Sequence, residues 1–198
     1  MNYFPQWLDQ AAQNALLAAL RRVIAEAPLF TPTMPRSGNP MSVRMTNCGP
    51  LGWVTDKERG YRYQGTHPET GKPWPPIPPM LLDLWDGVTD YAFPPQACLV
   101  NYYTGSAKMG LHQDKDEEDF SAPVLSVSLG DTARFLFGGL RRRDPVEPVP
   151  LASGDVFVFG GPARLRYHGV SRILPGTAPA ALDVRGRFNL TFRRFAIV

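Results

Sequence analysis

The second half of the sequence is a succession of short strands separated by turns, and this pattern constrains the fold more than any other feature. Four stretches are rich in Val, Leu and Phe, and Gly or Pro turns bound them: residues 123–129, 134–137, 155–159 and 187–193. Short strands at this spacing, without helices between them, indicate a sandwich or a jelly-roll barrel. We therefore predict a mainly β protein with flanking helices, whose jelly-roll core occupies residues 98–198.

The first half of the sequence is different in character. Apolar residues recur at helical spacing over residues 8–26, and a second helix is predicted over residues 80–91, after two prolines. Between them the composition shifts to Pro, Gly, Tyr and Trp, and residues 42–46 and 60–63 alternate like strands. Aromatic and basic residues in such a segment form either a platform on which nucleic-acid bases stack or the packing of a small subdomain.

These stretches organise into one predicted domain, because 198 residues without an internal repeat suit a single core. Its parts are an N-terminal helix (1–31), the aromatic segment (32–79), a helix with its connector (80–97) and the core (98–198).

A His-x-Asp triplet, His112-Gln113-Asp114, lies at the start of the predicted core. In an extended strand, residues i and i+2 point to the same face, so the imidazole and the carboxylate would converge. A second, distant histidine would complete the 2-His-1-carboxylate triad of non-haem Fe(II) oxygenases. The same ligands also bind Zn²⁺, so a zinc-dependent hydrolase or cupin-like enzyme is an alternative, and a charged surface turn is another.

The sequence offers two candidates for that second histidine. His67 lies in a loop rich in Pro and Gly, before the predicted barrel. His168 lies between two core-type strands and before the arginine-rich last strand. We therefore predict that His168 is the ligand.

The last predicted strand has two chemically different faces. One face carries Phe188, Leu190 and Phe192, and the other carries Arg187, Asn189, Thr191 and Arg193. The polar face lies either in water or inside the barrel mouth, where two guanidinium groups would need anionic partners. Guanidinium groups match carboxylates with paired hydrogen bonds, so a small dicarboxylate such as 2-oxoglutarate would suit the second placement.

Together these motifs resemble the AlkB family of Fe(II)- and 2-oxoglutarate-dependent dioxygenases, which repair alkylated nucleic-acid bases. The resemblance extends over roughly residues 41–194. The order of His-x-Asp, a distant His and then R-x-N-x-T-x-R is specific. The similar segments are MSVRMTNCGPLGW (41–53), KPWPPIP (72–78), CLVNYY (98–103), LHQDKDE (111–117), APVLSVSLG (122–130), FGGLRRRDP (137–145), SGDVFVFGG (153–161), YHGV (167–170) and RFNLTFR (187–193).

The resemblance implies a double-stranded β-helix with an N-terminal nucleotide-recognition lid at residues 32–79. It implies that His112, Asp114 and His168 hold Fe(II), with O₂ as the oxidant. The implied residues for 2-oxoglutarate are Asn101, Tyr103, Arg187, Asn189 and Arg193. Those implied for the substrate base are Met45, Trp53, Tyr61, Asp116 and Arg142, with the base stacked between Trp53 and His112.

The implied reaction is oxidative demethylation of bases such as 1-methyladenine and 3-methylcytosine, with release of formaldehyde, succinate and CO₂. The implied substrate is alkylated single-stranded DNA, with duplex DNA or RNA as further candidates. An RNA- or tRNA-directed demethylase is the alternative within the same chemistry, and a non-catalytic nucleic-acid binder is an alternative outside it.

Composition adds bounds but no function. The net charge of +3 and the pI near 9.0 are compatible with a polyanionic partner without establishing one. Two cysteines form no disulfide framework and indicate a reducing compartment. The N-terminus lacks the pattern of a signal peptide and no apolar run reaches membrane-spanning length, so we expect a cytoplasmic monomer without a membrane partner.

Overall fold

The computed structural model describes residues 1–196, and within that range the chain forms twelve strands, two α-helices and one 3₁₀ turn. The helices are α1 (Gln10–Glu26) and α2 (Pro79–Val88), and the 3₁₀ turn is Gly161–Ala163. The strands are β1 (Asn2–Phe4), β2 (Arg44–Cys48), β3 (Gly52–Asp56), β4 (Gly60–Gln64), β5 (Ala97–Tyr103), β6 (Met109–His112), β7 (Val124–Gly130), β8 (Thr132–Phe137), β9 (Glu147–Leu151), β10 (Val156–Phe159), β11 (His168–Leu174) and β12 (Arg187–Arg193).

The strands form two large antiparallel sheets and one hairpin. The six-stranded sheet has the order β1-β10-β7-β12-β5-β2, and the four-stranded sheet has the order β6-β11-β8-β9. Strands β3 and β4 pair only with each other, as a separate hairpin. This arrangement confirms the predicted mainly β, jelly-roll architecture with flanking helices.

Apolar side chains fill three regions that these layers define. The largest cluster lies between the two helices and the six-stranded sheet, and it includes Trp85 and Leu190. The second fills the space between the two large sheets, where the ring of Phe157 packs against the rings of both Phe135 and Phe159. The third lies beneath the hairpin. Barrel and hairpin are therefore each anchored on a core of their own.

Both helices begin where local chemistry allows. The side chain of Asp9 accepts a hydrogen bond from the backbone N–H of Ala12, so α1 begins at Gln10 rather than at the predicted residue 8. Pro79 occupies the first turn of α2, where its missing N–H costs nothing. The predicted end at residue 91 was wrong, because the backbone becomes extended at Thr89.

Strand boundaries were predicted well only where alternation was clear. Residues 187–193 form β12 as predicted, whereas the stretch 42–46 is displaced to Arg44–Cys48. The sequence pattern gave no sign of β9, which contains Pro148 and Pro150. Proline is tolerated there because β9 is an edge strand of the four-stranded sheet.

Strands from outside the predicted core (98–198) add to the six-stranded sheet of that core. Strand β2, from the segment 32–79, pairs with β5, and β1 pairs with β10. Cys48 and Cys98 lie opposite each other on β2 and β5, and both are buried and form no disulfide, as expected for free thiols. Among the described residues no helix is long and apolar enough to cross a membrane.

Candidate active site

His112, Asp114 and His168 meet at one end of the barrel. Their ligand atoms lie within 4.8 Å of one another, and no other group of His, Cys, Asp and Glu in residues 1–196 could hold a metal. His168 begins β11 and lies directly opposite His112, the last residue of β6. The triplet is therefore not one extended strand: β6 ends at His112, and Asp114 reaches the same point from the following loop.

Both histidines present the same nitrogen to this point. His112 Nδ1 lies 2.9 Å from the Gly110 carbonyl and His168 Nδ1 lies 3.0 Å from the Arg166 carbonyl. Only a protonated Nδ1 can donate to a carbonyl, so each ring keeps Nε2 free for a metal. Burial, together with the neighbouring His168, lowers the pKa of His112 to about 4, which leaves this imidazole neutral and able to act as a ligand.

Asp114 is buried and stays ionised. Burial acts to raise its pKa, but the guanidinium of Arg193, with Nη2 2.7 Å from Oδ1, and the nearby histidines hold the pKa of Asp114 well below its usual range. Its other oxygen, Oδ2, has no hydrogen-bond partner. The site therefore offers one free carboxylate oxygen and two free imidazole nitrogens, which is the donor set of a facial triad with open positions.

The polar face of β12 lies inside the barrel rather than in water, which is the placement that would suit a dicarboxylate ligand. Arg187, Thr191 and Arg193 are buried, and Asn189 is half-buried. Arg187 donates to the carbonyls of Asp131 and Leu151 and to the hydroxyl of Ser128, and no carboxylate among the described residues lies within ion-pair distance of it. Burial lowers the pKa of Arg187 to about 10. A buried guanidinium without a counter-ion needs an anionic partner.

Unsatisfied polar atoms concentrate at this site. Buried side-chain atoms without a hydrogen bond include Asn101 Oδ1, Asp114 Oδ2, Arg187 Nε and Arg193 Nε. Asn101 and Asn189 are cross-strand partners on β5 and β12, and Tyr103 is the partner of Arg187. Since buried polar atoms are normally paired, three such atoms on the adjacent strands β5 and β12, with Asp114 Oδ2 as the fourth, fit a polar ligand among them. The predicted metal and 2-oxoglutarate residues are thus brought together.

Next to the metal ligands lies an aromatic site. Trp53 on β3 donates from Nε1 to Asp116 Oδ2 at 2.8 Å, and its ring stacks on Tyr61 with centroids 5.6 Å apart. Tyr61 remains about half exposed, at 49%. Asp116 is two residues beyond Asp114, and the hydrogen bond and the ring stack connect Trp53 and Tyr61 to it, so three of the predicted base-binding residues form one connected group.

The other two predicted base-binding residues have structural contacts of their own. Met45 is buried in the apolar cluster that also contains Trp53. Arg142 is exposed and donates from Nη1 to the carbonyl of Leu111, beside His112, at 2.8 Å. A direct role in base binding stays a prediction for both.

Three polar residues that the sequence reasoning assigned no role complete the site: Tyr63, Glu117 and Arg164. The Glu117 carboxylate is buried and contacts Arg164 Nη2 at 3.0 Å, Arg193 Nη1 at 3.3 Å and the Tyr63 hydroxyl. Arg164 also donates to the carbonyls of Asp114 and Ala122. Glu117 is the last residue of the segment LHQDKDE, and this position next to the metal ligands was the only sign of its role in the sequence. The sequence does not show that its charge is buried.

His67, the competing histidine, is structural. It is buried, its Nε2 lies 2.8 Å from the Pro28 carbonyl, and its Nδ1 accepts hydrogen bonds from two backbone N–H groups. Both of its nitrogens are therefore occupied, Nδ1 within its own loop and Nε2 by the segment that follows α1.

Fold and site together define a non-haem iron oxygenase, and the family comparison agrees: the 2OG-Fe(II) oxygenase superfamily matches residues 1–193. An alpha-ketoglutarate-dependent dioxygenase AlkB homolog of Caulobacter vibrioides is 54% identical over 191 residues, which is 96% of this chain and 86% of that protein. The alpha-ketoglutarate-dependent dioxygenase AlkB of Escherichia coli is 45% identical, over 92% of this chain and 85% of that protein. The chain belongs to the AlkB family of Fe(II)- and 2-oxoglutarate-dependent dioxygenases.

More distant similarities agree with this membership. A solved structure, "The structure of OsALKBH1", superposes with a TM-score of 0.83 at 37% identity and covers 97% of this chain and 95% of that one. A protein of Arabidopsis thaliana named DNA N(6)-methyladenine demethylase ALKBH1C is 48% identical over 110 residues, or 51% of this chain and 24% of that protein. The enzyme is thus a dioxygenase that uses Fe(II), 2-oxoglutarate and O₂, and the hydrolase alternative is set aside.

Proposed function

We propose that this dioxygenase demethylates N-alkylated bases in nucleic acid, with alkylated DNA as its substrate. The observation that carries the proposal is the Trp53–Asp116 pair, an aromatic plane and a carboxylate joined by a hydrogen bond two residues from a metal ligand. A relative named a DNA demethylase adds support. The reaction reverses alkylation damage directly and releases formaldehyde.

The metal would be held by Nε2 of His112 and His168 and by Oδ2 of Asp114. Both Nδ1 contacts to backbone carbonyls keep the imidazoles in the right orientation. Iron with 2-oxoglutarate and O₂ supplies the oxidation of the N-methyl carbon, with succinate and CO₂ as co-products. Asp114 is held ionised by Arg193, so no proton must leave the site before the metal binds.

Polar residues on β5 and β12 would hold 2-oxoglutarate between them. Arg187 would bind one carboxylate, with Tyr103 opposite it and Asn189 next along the strand. Arg193, at the metal end of β12, would bind the other carboxylate through its unpaired Nε, and Asn101 would complete the hydrogen bonds. Two guanidinium groups at the two ends of one strand suit a dicarboxylate.

The substrate base would stack on Trp53, with His112 on its other side. Methylation at adenine N1 or cytosine N3 gives a cationic ring, which suits an aromatic face and the adjacent carboxylate of Asp116. Asp116 can also accept a hydrogen bond from adenine N6 or cytosine N4. A base must leave its stack to reach this site, and unpaired bases leave most cheaply. Single-stranded DNA is therefore the proposed preferred form.

The test is incubation of the enzyme with oligonucleotides bearing 1-methyladenine or 3-methylcytosine, with and without 2-oxoglutarate. The expected result is formaldehyde release and replacement of one methyl group by hydrogen, seen by mass spectrometry, only when 2-oxoglutarate is present. Asp114→Ala is the inactive control. If the mass of the oligonucleotide stays unchanged when Fe(II) and 2-oxoglutarate are both present, the demethylase proposal is refuted.

The same assay ranks the substrates. Single-stranded DNA, duplex DNA and tRNA bearing the same lesion are compared at equal concentration, and single-stranded DNA is expected to react fastest. Faster reaction of tRNA would identify an RNA-directed enzyme of the same chemistry. Gel filtration of the same preparation tests the predicted monomer, whereas the cytoplasmic location stays a prediction.

A further inference from the structure

We propose that Tyr63 is a positioning residue through which binding of 2-oxoglutarate at Arg193 tightens the docking of the β3–β4 hairpin over the active site. The inference rests on the proposed role of Arg193 as a co-substrate clamp. It assigns a function to a hydroxyl on the hairpin that the base-binding role of Trp53 does not require.

The hairpin is docked on the metal-binding loop by two side-chain hydrogen bonds. Trp53 and Tyr63 are direct cross-strand partners, so both side chains lie on the same face of the hairpin. Trp53 donates to Asp116, and Tyr63 donates to Glu117, the next residue along the loop. The indole that would stack on the base and the tyrosine hydroxyl therefore move as one unit.

Tyr63 and Arg193 serve the same carboxylate oxygen. Arg193 Nη1 lies 3.3 Å from Glu117 Oε1 and 3.4 Å from the Tyr63 hydroxyl oxygen, both at the long end of the hydrogen-bond range. The other oxygen of Glu117, Oε2, is occupied by Arg164 at 3.0 Å. Oε1 is thus shared between a hairpin donor and a guanidinium that has another task.

Arg193 also faces the site where an anion would arrive. Its Nη2 is held by Asp114 at 2.7 Å, and its Nε is buried without a hydrogen bond. A carboxylate at Nε would draw the guanidinium charge toward itself and away from Glu117. Oε1 would then be less neutralised and would accept more strongly from Tyr63, because hydrogen bonds to a charged acceptor strengthen with its charge. Co-substrate binding would in this way favour the docked hairpin.

The chain offers a matched control. Tyr91 also donates to a buried carboxylate, Asp119, which in turn lies near Arg194. Neither Tyr91 nor Asp119 belongs to the hairpin or contacts Arg193. Tyr91→Phe therefore removes the same kind of bond without touching the proposed connection, whereas Tyr63→Phe keeps the ring that packs against Phe195, with ring centroids 5.0 Å apart.

The experiment measures hydrogen exchange of the amides of residues 52–64 in the enzyme loaded with redox-inert Zn²⁺, with and without 2-oxoglutarate. Couplings between sites typically amount to 5- to 150-fold, so we expect 2-oxoglutarate to slow exchange about tenfold in the wild type and in Tyr91→Phe. In Tyr63→Phe, 2-oxoglutarate should slow exchange by less than about twofold, which is below the typical size of coupling between sites. An unchanged response in Tyr63→Phe, or no response in the wild type, would overturn the proposal.

The hairpin amides of Tyr63→Phe could exchange fast both with and without 2-oxoglutarate. In that case the affinity for 2-oxoglutarate, measured by calorimetry, decides. Because coupling is reciprocal, losing the hairpin contact should also weaken 2-oxoglutarate binding several-fold, and wild-type affinity would overturn the proposal. Arg193→Gln separates the two levels of inference. If it binds 2-oxoglutarate like the wild type, the clamp assignment fails; if it loses binding while wild-type exchange ignores 2-oxoglutarate, only the coupling fails.

Discussion

Trp53 has two tasks at the residue scale, because its ring faces the proposed base site while its N–H holds Asp116 in place. Trp53→Ala removes both, and loss of base stacking typically costs about 1–3 kcal/mol. We expect affinity for a methylated oligonucleotide to fall about 5- to 150-fold, measured by fluorescence anisotropy with Zn²⁺ and 2-oxoglutarate present.

A second substitution at the same position separates the two tasks. Trp53→Phe keeps an aromatic face but removes the N–H, so most of the affinity should remain while Asp116 becomes free to move. If the phenylalanine variant bound as weakly as the alanine variant, the hydrogen bond rather than stacking would dominate at this position.

Arg187 gives a prediction on the co-substrate. It is buried, donates to three oxygen acceptors, and has an Nε without a hydrogen-bond partner. Arg187→Lys retains the positive charge but cannot reproduce the planar set of donors. We expect 2-oxoglutarate affinity to fall at least about tenfold, the equivalent of about 1.4 kcal/mol, as measured by calorimetry with Zn²⁺.

The matched control for Arg187→Lys is Arg172→Lys, on β11, where the side chain is exposed and no described contact involves it. This variant should bind 2-oxoglutarate like the wild type. Equal affinity in Arg187→Lys and the wild type would contradict the proposed clamp.

At the element scale, the position of the β3–β4 hairpin depends on Gly52. A Cβ added there would lie 2.5 Å from the indole of Trp74 and 2.7 Å from the Asn47 Cβ, closer than real side chains approach. Gly52→Ala must therefore displace β3, the strand that carries Trp53. Overpacking of this kind typically costs about 1–3 kcal/mol, so the urea midpoint of unfolding should fall.

Gly87 provides the opposite case for the same measurement. It lies in α2, and a Cβ there would meet no atom within 4 Å. Gly87→Ala should raise the free energy of unfolding by about 0.5–1 kcal/mol, because alanine loses less backbone entropy in a helix. If Gly52→Ala did not lower the midpoint, close packing would not require glycine at position 52; if Gly87→Ala lowered it as well, the effect of Gly52→Ala could not be attributed to the packing contacts.

The elements also show what could be predicted from the sequence. Strand β12 was bounded correctly because both of its faces alternate cleanly, and the metal ligands were found because the chain has only three histidines and one of them is in a His-x-Asp triplet. The cross-strand pairing of His112 with His168 could not be predicted, since it depends on the register of β6 and β11, which no local pattern encodes. Asp114 was correctly predicted to join the two histidines, but the predicted reason, an extended strand that includes both His112 and Asp114, was wrong.

The Tyr63–Glu117–Arg193 contacts were out of reach for a similar reason. They join a hairpin, a loop and the last strand, and two of their members, Tyr63 and Glu117, look like ordinary solvated polar residues when read locally. Only burial distinguishes them, and burial follows from the packing of the hairpin against the barrel.

At the scale of the whole molecule, buried tyrosines link stability to alkaline pH. Burial raises the pKa of Tyr103 to about 12 and also raises the pKa of Tyr63, whereas tyrosine in an unfolded chain titrates near 10. For a group whose folded pKa is raised, the contribution is complete below the unfolded pKa and is lost as the pH rises toward the folded pKa. Stability should therefore fall between about pH 10 and 12.

The size and source of this loss can be measured on the metal-free protein. Each such group contributes a slope of about 1.4 kcal/mol per pH unit in the free energy of unfolding, followed by urea titrations from about pH 9 to 11.5. Tyr103→Phe should reduce that slope by one group, because the phenolic proton that resists removal in the folded state is gone. A slope equal to the wild type in Tyr103→Phe would show that this hydroxyl reaches water in the folded enzyme, and the proposed dry, polar co-substrate site between β5 and β12 would lose its support.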